Sequence, residues 1–500
     1  MFKHSITPRI GFDFMLRRVR LAVAAVLFLC ENLFFIGVAG GTGVFERFQF
    51  VPALLAMNFA AIAFIVALTL LLGRVYCSTL CPLGVFQDIV IGIARVFAKK
   101  RFVYAPPHTL FRYAALSVVA VAFAVGIAAV PALIDPYSLY GRMATHLLQP
   151  VAYAANNAIA WMADSLGHPF VFKEEIFVRS TLATSVAITS LVAIVVVAAR
   201  WGRLYCNTLC PAGSLLAFLS QRPLFKVVID GTSCVECGVC AKACKSGCID
   251  AKSRTVDFGR CVCCFDCLTA CRKNAIHYTM TATKTVDASV PAVVLEHAKG
   301  RKWVGRREFV TTAAVSVATV VAATVRKESS LAAAVPEPVS PPGSGGRSRL
   351  LSQCTSCNLC VAKCKGNVIR PSLLEYGVSG IMMPKLDFSR GFCDWDCNEC
   401  GQACPNGAIA PLTIDDKRKT KIGQAVYVRD RCVLVTDQVD SCGNCAKHCP
   451  TNAITLVEEK DKKKYPSIDE DKCIGCGACE YHCPSKPLAI HVVGLSHRSV

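Results

Sequence analysis

The stretch Gly73-Arg74-Val75-Tyr76-Cys77-Ser78-Thr79-Leu80-Cys81-Pro82 returns further along as Gly202-Arg203-Leu204-Tyr205-Cys206-Asn207-Thr208-Leu209-Cys210-Pro211. Each copy directly follows an apolar run, 53–73 in the first case and 181–199 in the second. Each of those runs has another before it, 21–40 and 113–133. All four are long enough to cross the roughly 30 Å hydrocarbon core of a bilayer as helices. The repeat therefore predicts two hairpins, each ending in C-x3-C-P on the same face. Charge says which face. Lys3, Arg9, Arg17, Arg18 and Arg20 precede the first run, and Arg74, Arg95, Lys99, Lys100, Arg101 and Arg112 lie between the second and third. Between the third and fourth stand Asp135, Asp164, Glu174 and Glu175. The positive-inside rule puts the N-terminus, residues 74–112 and the chain after Arg200 in the cytoplasm. Four buried helices of a soluble protein would not need this alternation.

Composition agrees. Hydrophobic residues make up 53% of the 500, in long blocks. The formal net charge of +20 could suggest nucleic acid, but the basic residues gather beside apolar segments, so membrane topology explains them and no nucleic-acid partner is expected. The 31 cysteines exclude chance. Disulfide-dense proteins are usually small secreted domains; this chain is long and its cysteines sit in tight clusters, which favours metal.

Cys234, Cys237, Cys240 and Cys244 are spaced C-x2-C-x2-C-x3-C, and Cys261, Cys264, Cys267 and Cys271 repeat it. Three thiolates within seven residues suit three corners of one [4Fe–4S] cubane, and in the paired bacterial pattern the fourth Cys ligates the other cluster. That assigns Cys234, Cys237, Cys240 and Cys271 to one cluster, and Cys261, Cys264, Cys267 and Cys244 to a second. Cys248 and Cys263 are left over as buried neighbours.

Four more motifs follow: Cys354, Cys357, Cys360, Cys364; Cys393, Cys397, Cys400, Cys404, with one extra residue in the first gap; Cys432, Cys442, Cys445, Cys449, with a long first gap; and Cys473, Cys476, Cys479, Cys483. About six clusters are thus expected. The first and fourth of these motifs exchanging their last Cys, and the second and third likewise, is one pairing; exchange between neighbours is the other. Structural zinc usually separates two Cys pairs by a longer gap. No C-x-x-C-H occurs, so c-type haem is not indicated. Ala408-Ile409, 453–457 and 488–490 suit the short strands of ferredoxin folds.

The C-x3-C-P cysteines, Cys77, Cys81, Cys206 and Cys210, fit three roles: redox thiols near a quinol site, ligands of a further metal centre, or inert thiols at Pro-ended helix termini. Glu31, inside the first run, is an intramembrane carboxylate and so a functional candidate, as a quinol proton acceptor or as a group bonded within the bundle, for example to Asn58. Arg306-Arg307 before a weakly apolar stretch, about 309–325, reads as a twin-arginine export signal, and Ala332-Ala333-Ala334 as an A-x-A-like cleavage site.

The fold class expected is an α-helical membrane bundle plus α+β ferredoxin-like [4Fe–4S] domains. Its parts are a four-helix transmembrane domain (1–220), a cytoplasmic two-cluster ferredoxin domain (221–285), a signal or fifth transmembrane helix (300–328), a linker (329–349) and a periplasmic four-cluster ferredoxin domain (350–495).

These motifs resemble the polyferredoxin quinol dehydrogenases of periplasmic nitrate reductase systems. Residues 1–280 are similar to the NapH-type membrane subunit and 300–495 to the NapG-type periplasmic subunit, as if fused. Lys245, Arg272 and Lys365 depart from the family by standing where Pro often follows the last Cys. The resemblance implies a multi-pass protein of the bacterial inner membrane. It would oxidise menaquinol from the quinone pool and pass electrons to a periplasmic reductase or cytochrome. A second reading, from related polyferredoxins, is a reductant for metalloenzyme maturation. In either case the cytoplasmic cluster pair is cut off from the periplasmic clusters by the bilayer, unless quinone or a further centre carries electrons across.

Overall fold

The computed structural model describes residues 9–37, 44–97, 102, 104, 106, 109–124, 129–167, 171–176, 179–280, 337–437, 439–459 and 463–495. The twin-arginine pair, the stretch 309–325 and the alanines at 332–334 lie outside these.

The first half is helical. α1 (Arg9–Ile36), α2 (Phe59–Leu72), α3 (Tyr76–Thr79), α4 (Pro82–Phe97) and α5 (Thr109–Ala124) lead into α6 (Pro136–Met143). A π-helical turn, Ala144–Leu148, joins α6 to α7 (Gln149–Ser165); α8 (Thr181–Trp201), α9 (Leu204–Thr208) and α10 (Pro211–Leu219) follow, and the shorter helices Val44–Arg47, Phe50–Leu55 and Ala129–Ile134 lie between the earlier ones. Two segments, Phe14–Ile36 and Thr181–Trp201, are long and apolar enough to cross a membrane; Phe59–Leu72 and Thr109–Ala122 are apolar but shorter. The expected run 53–73 is broken. Met57 takes a positive φ and the Asn58 side chain accepts from Ala61 N at 3.2 Å, capping α2. The 113–133 run is likewise divided between α5 and a separate helix, Ala129–Ile134. The helices over 136–165 were not anticipated: their apolar residues are interleaved with Ser138, Arg142, Thr145, His146 and Gln149, all of them buried.

The cysteine-rich parts are built from short antiparallel strand pairs. β1 (Phe225–Ile229) pairs with β2 (Ile276–Met280), and β3 (Ile369–Pro371) with β4 (Pro384–Leu386). β5 (Gly423–Tyr427) pairs with β8 (Ile490–Gly494), and β6 (Ile454–Glu458) with β7 (Lys464–Ile468). The strand expected at Ala408-Ile409 is absent; Ile409 instead gives its N–H to Cys404 Sγ at 3.4 Å. The expected linker also divides. Residues 337–346 fold into the last domain, where Val339, Ser340 and Ser344 are buried and Val339 O accepts from Leu386 N at 2.7 Å.

α1 joins the two cysteine-rich domains to the helical one. Near its start Arg17 Nε meets Asp266 Oδ1 at 3.0 Å. Near its end Lys363 Nζ lies 4.0 Å from the centre of the Phe34 ring. At 1.5 Å per residue, those points are about 26 Å apart along the axis. The domain of 225–280 and that of 337–495 thus sit at opposite ends of α1.

Candidate metal centres

The three-sulfur loops share one backbone device. In the motifs beginning at Cys234, Cys261, Cys354 and Cys473, positive φ recurs at the second residue after the first Cys: Glu236, Cys263, Ser356 and Gly475. It recurs again just after the second Cys: Gly238, Phe265, Asn358 and Gly477. L-residues avoid this region unless their surroundings hold them there. Two such turns curl each loop around its three sulfurs. The last Cys of a motif then accepts a backbone N–H from the chain beyond it: Ala275 N to Cys271 Sγ and Ala453 N to Cys449 Sγ, both 3.3 Å. Such N–H···S bonds favour the thiolate and tune a bound cluster.

In the first domain the sulfurs gather in two sets. Cys240 lies within electrostatic reach of Cys234, Cys237 and Cys271, and one cavity is lined by Cys244, Cys261, Cys264 and Cys267. Cys248 and Cys263 are its buried neighbours, with Cys248 Sγ 3.4 Å from Cys244 Sγ. In the last domain, exchange is between neighbouring motifs, not between first and fourth. Cys360 faces Cys354, Cys357 and Cys404; Cys400 faces Cys393, Cys397 and Cys364. One cavity gathers Cys432, Cys442, Cys445 and Cys483, and another Cys449, Cys473, Cys476 and Cys479. Spacing within a motif says nothing about its partner; the chain between motifs decides it, and here the adjacent loops pack on each other. Cys393 N donates to Cys476 O at 2.9 Å, which sets the second motif against the fourth. Among the described residues, no three His, Cys, Asp or Glu side chains are placed to hold a single metal ion. Sulfurs at four corners of a cubane are a wider arrangement, and four cysteine thiolates are its ligand chemistry, so the residues present fit [4Fe–4S] clusters.

The two C-x3-C-P copies meet across a pseudo-twofold arrangement in the helical domain. Arg74 Nη2 donates to Cys206 O at 3.2 Å and lies 3.7 Å from Cys77 Sγ. Arg203 Nη1 donates to Cys77 O at 2.9 Å and lies 3.9 Å from Cys206 Sγ. Each arginine thus grips the other copy. Gly84 and Gly213 make the approach possible: a Cβ on either would lie 2.2 Å from the carbonyl oxygen of the first Cys in its own copy. Cys77, Cys81, Cys206 and Cys210 are all buried in one core that also contains Cys264 and Cys357.

Glu31 is buried, but its partner is not Asn58. Gln49 Nε2 donates to Oε1 at 2.5 Å, and Oε2 has no partner. Gln49 Oε1 in turn accepts from Tyr76 OH at 2.9 Å, beside Cys77. The neighbouring Asn32, not Glu31, faces a largely apolar cavity of about 1000 Å³ between α1, α4 and the α6–α7 segment. There Tyr140 OH donates to Asn32 Oδ1 at 2.6 Å, with Phe28 and Phe86 alongside.

An ion-pair knot that the motifs did not reveal closes one end of the cavity. Lys245 Nζ reaches Asp88 Oδ2 at 3.0 Å and Asp266 Oδ2 at 3.2 Å. Arg203 and Arg20 share Asp88; Arg17 and Arg95 share Asp266. Burial alone would raise the Asp266 carboxyl, but Lys245 and Arg17 outweigh it and hold it below the usual carboxylate range.

Known proteins bear on these sites. Residues 353–409 and 440–486 match families described as 4Fe-4S dicluster domain, the first spanning two neighbouring motifs and the second two neighbouring motifs apart from Cys432. Residues 54–101 and 184–228, the two C-x3-C-P copies, match a family described as 4Fe-4S binding domain. The chain carries 4Fe–4S ferredoxin-type domains. An uncharacterized protein of Methanocaldococcus jannaschii is 24% identical over 279 residues, 54% of this chain and 89% of that protein. The ferredoxin-type protein NapF of Escherichia coli is 34% identical over 73 residues, 15% of this chain and 40% of that protein. The putative electron transport protein YccM of Escherichia coli is 27% identical over 216 residues, 42% of this chain and 52% of that protein. No solved structure matches. The ferredoxin-type domains and these relatives make this an iron–sulfur electron-transfer protein.

Proposed function

We propose that the protein spans a membrane, oxidises a membrane quinol and delivers the electrons to a redox partner beyond the four-set domain. The observation that carries this is the large apolar cavity beside the cysteine sets. Apolar side chains on α1 and α8 face outward, with Val26 61% and Val192 55% exposed, as lipid contact requires. A quinol ring fits the cavity with its hydroxyl at the Asn32–Tyr140 pair. [4Fe–4S] clusters held by the cysteine sets supply one-electron carriage there. The chain's own residues do the rest: Phe28 and Phe86 flank the ring, and the polar pair orients the hydroxyl. Glu31 is turned from the cavity and bonded to Gln49, which does not line the cavity either, so Glu31 is not placed to take the quinol protons.

Orientation follows the basic residues: the N-terminus and the domain of 221–285 in the cytoplasm, residues 350–495 in the periplasm, the partner a reductase or cytochrome there. Stopped-flow absorbance of the anaerobically purified full chain is the test. A reduced menaquinol analogue should bleach the cluster absorbance of the wild type. Absence of quinol-driven bleaching, with dithionite bleaching intact, would sink the quinol reading.

A further inference from the structure

All of the 31 cysteines but Cys30, Cys248 and Cys263 fall into sets of four once the two C-x3-C-P copies are taken together. We infer that Cys77, Cys81, Cys206 and Cys210 ligate one further [4Fe–4S] cluster, shared between the two copies. It relays single electrons between the two ferredoxin-type domains.

Charge is the first argument. Arg74 is fully buried, and its hydrogen bonds go to Asn207 Oδ1, Gly259 O, Cys206 O and Cys77 Sγ, none of them a carboxylate. A buried cation without a counter-charge is costly. Four neutral thiols would leave it so. Four thiolates around a cubane of core charge 2+ carry a net charge of about −2, and the two symmetry-related arginines lie against them. Arg203 is already paired with Asp88 at 2.6 Å, a carboxylate whose other oxygen takes Arg20 and Lys245, so the charge argument rests on Arg74.

Donors are the second argument. Cys210 Sγ accepts from Gly213 N at 3.2 Å, the same kind of backbone bond that the ferredoxin-type sets make. The N-terminus of α10 therefore points at a sulfur, as it would at an anion.

Position is the third. Arg74 links the quartet directly to the loop of the Cys261 set through Gly259 O at 2.9 Å. On the other side, Tyr137 and Tyr140 of α6 pack in the same core as the quartet and Cys357. Along α1 the quartet's loops touch Arg20, through Ser78 O. They touch the Glu31–Gln49 pair through Leu80 O. That level lies between the two docking points, about 26 Å apart, and splits one long gap into two shorter ones. Tunnelling falls off exponentially with distance, so the division matters more than any local tuning. The step is simple: one electron arrives from the neighbouring set on one side, one leaves to the set on the other. No bond forms and no proton moves.

The inference shares the electron-transfer reading but not the quinol one. Anaerobically purified full chain should contain about 28 irons and as many acid-labile sulfides, four for each set. Cys77→Ala/Cys206→Ala should lose about four irons and keep the others. In sealed vesicles, dithionite added on the side of residues 225–280 should bleach clusters of residues 350–495 in the wild type, and at least tenfold more slowly in the double variant. A wild-type count of about 24 irons overturns the inference, whether the quartet is then mapped as free thiols, as a disulfide or with one zinc per chain. That count decides even where the variant fails to fold. Trans-membrane bleaching at the wild-type rate in a folded variant overturns the relay. A chain with about 28 irons that ignores menaquinol would refute the quinol reading and leave this one standing.

Discussion

Lys245 stands directly after Cys244, where a proline commonly closes a ferredoxin motif, and there it ties Asp88 of α4 to Asp266 of the adjoining domain. Removing one partner of a buried pair leaves the others uncompensated at a cost of about 3–5 kcal/mol. Lys245→Met should therefore loosen the 225–280 domain from the helices, seen as earlier cleavage between the two in limited proteolysis. The same contact has a pH dependence. Asp266 is held below its ordinary value, so its contribution is present above the usual carboxylate pKa of about 4 and fades as pH falls through the lower, folded value. Release of the domain on acidification, and not on raising pH to 9, is the expected profile. Gly84 and Gly213 give a second residue-scale prediction. A methyl at either site drives into a carbonyl oxygen at 2.2 Å, so Gly84→Ala and Gly213→Ala should each cost about 1–3 kcal/mol and lower the midpoint of thermal unfolding. An unchanged midpoint would mean that each cysteine loop shifts off its own helix more easily than the packing implies.

Among the elements, the cysteine loops were the most legible, because ligand spacing is written directly in the sequence. The left-handed turns that shape them were not: Phe265 and Ser356 carry no turn signature of their own, and tertiary packing holds them in place. Equally silent was the segment from α6 through α7. Its polar residues turn toward the last domain, so neither a clean apolar run nor an amphipathic period marks it. Arg142 Nη1 reaches Ser356 O, and Gln149 Nε2 reaches Ala362 O at 3.1 Å. Tyr140, on the same helix, bounds the cavity. Tyr140→Phe and Asn32→Leu should each slow menaquinol-driven bleaching several-fold while leaving dithionite-driven bleaching unchanged. Equal slowing under both donors would mean that the substitutions disturb the cluster sets instead.

Over the whole molecule the sets stand in a row. The Cys234 set comes first, at the surface, with Cys237 exposed. The Cys261 set and the quartet follow, then the Cys354 and Cys393 sets. Cys393 leads to the Cys473 set, and Cys479 faces Cys445 of the last. Repeats of a motif could be counted in the sequence, but their sequence order is not their spatial order: the fourth motif of the last domain lies between the second and the third. Cys432→Ala/Cys445→Ala removes the far end alone, so it should leave quinol-driven reduction of the remaining clusters intact and abolish onward reduction of an added soluble acceptor. Continued acceptor reduction would move the exit elsewhere.

The backbone of the Cys354 loop is gripped by side chains of the helical domain, Arg142 on Ser356 O and Gln149 on Ala362 O among them. A carrier held in this way cannot commute. Many redox modules load at one station, swing on a tether and unload at another, so their delivery time depends on tether length and viscosity. Here the internal delay is fixed by the fold, and on the proposed function the diffusing parties are the quinol that enters beside the helices and the acceptor that docks at the far end. Turnover should then scale with the concentration of the outside acceptor until docking saturates, and be indifferent to solvent viscosity beyond that point.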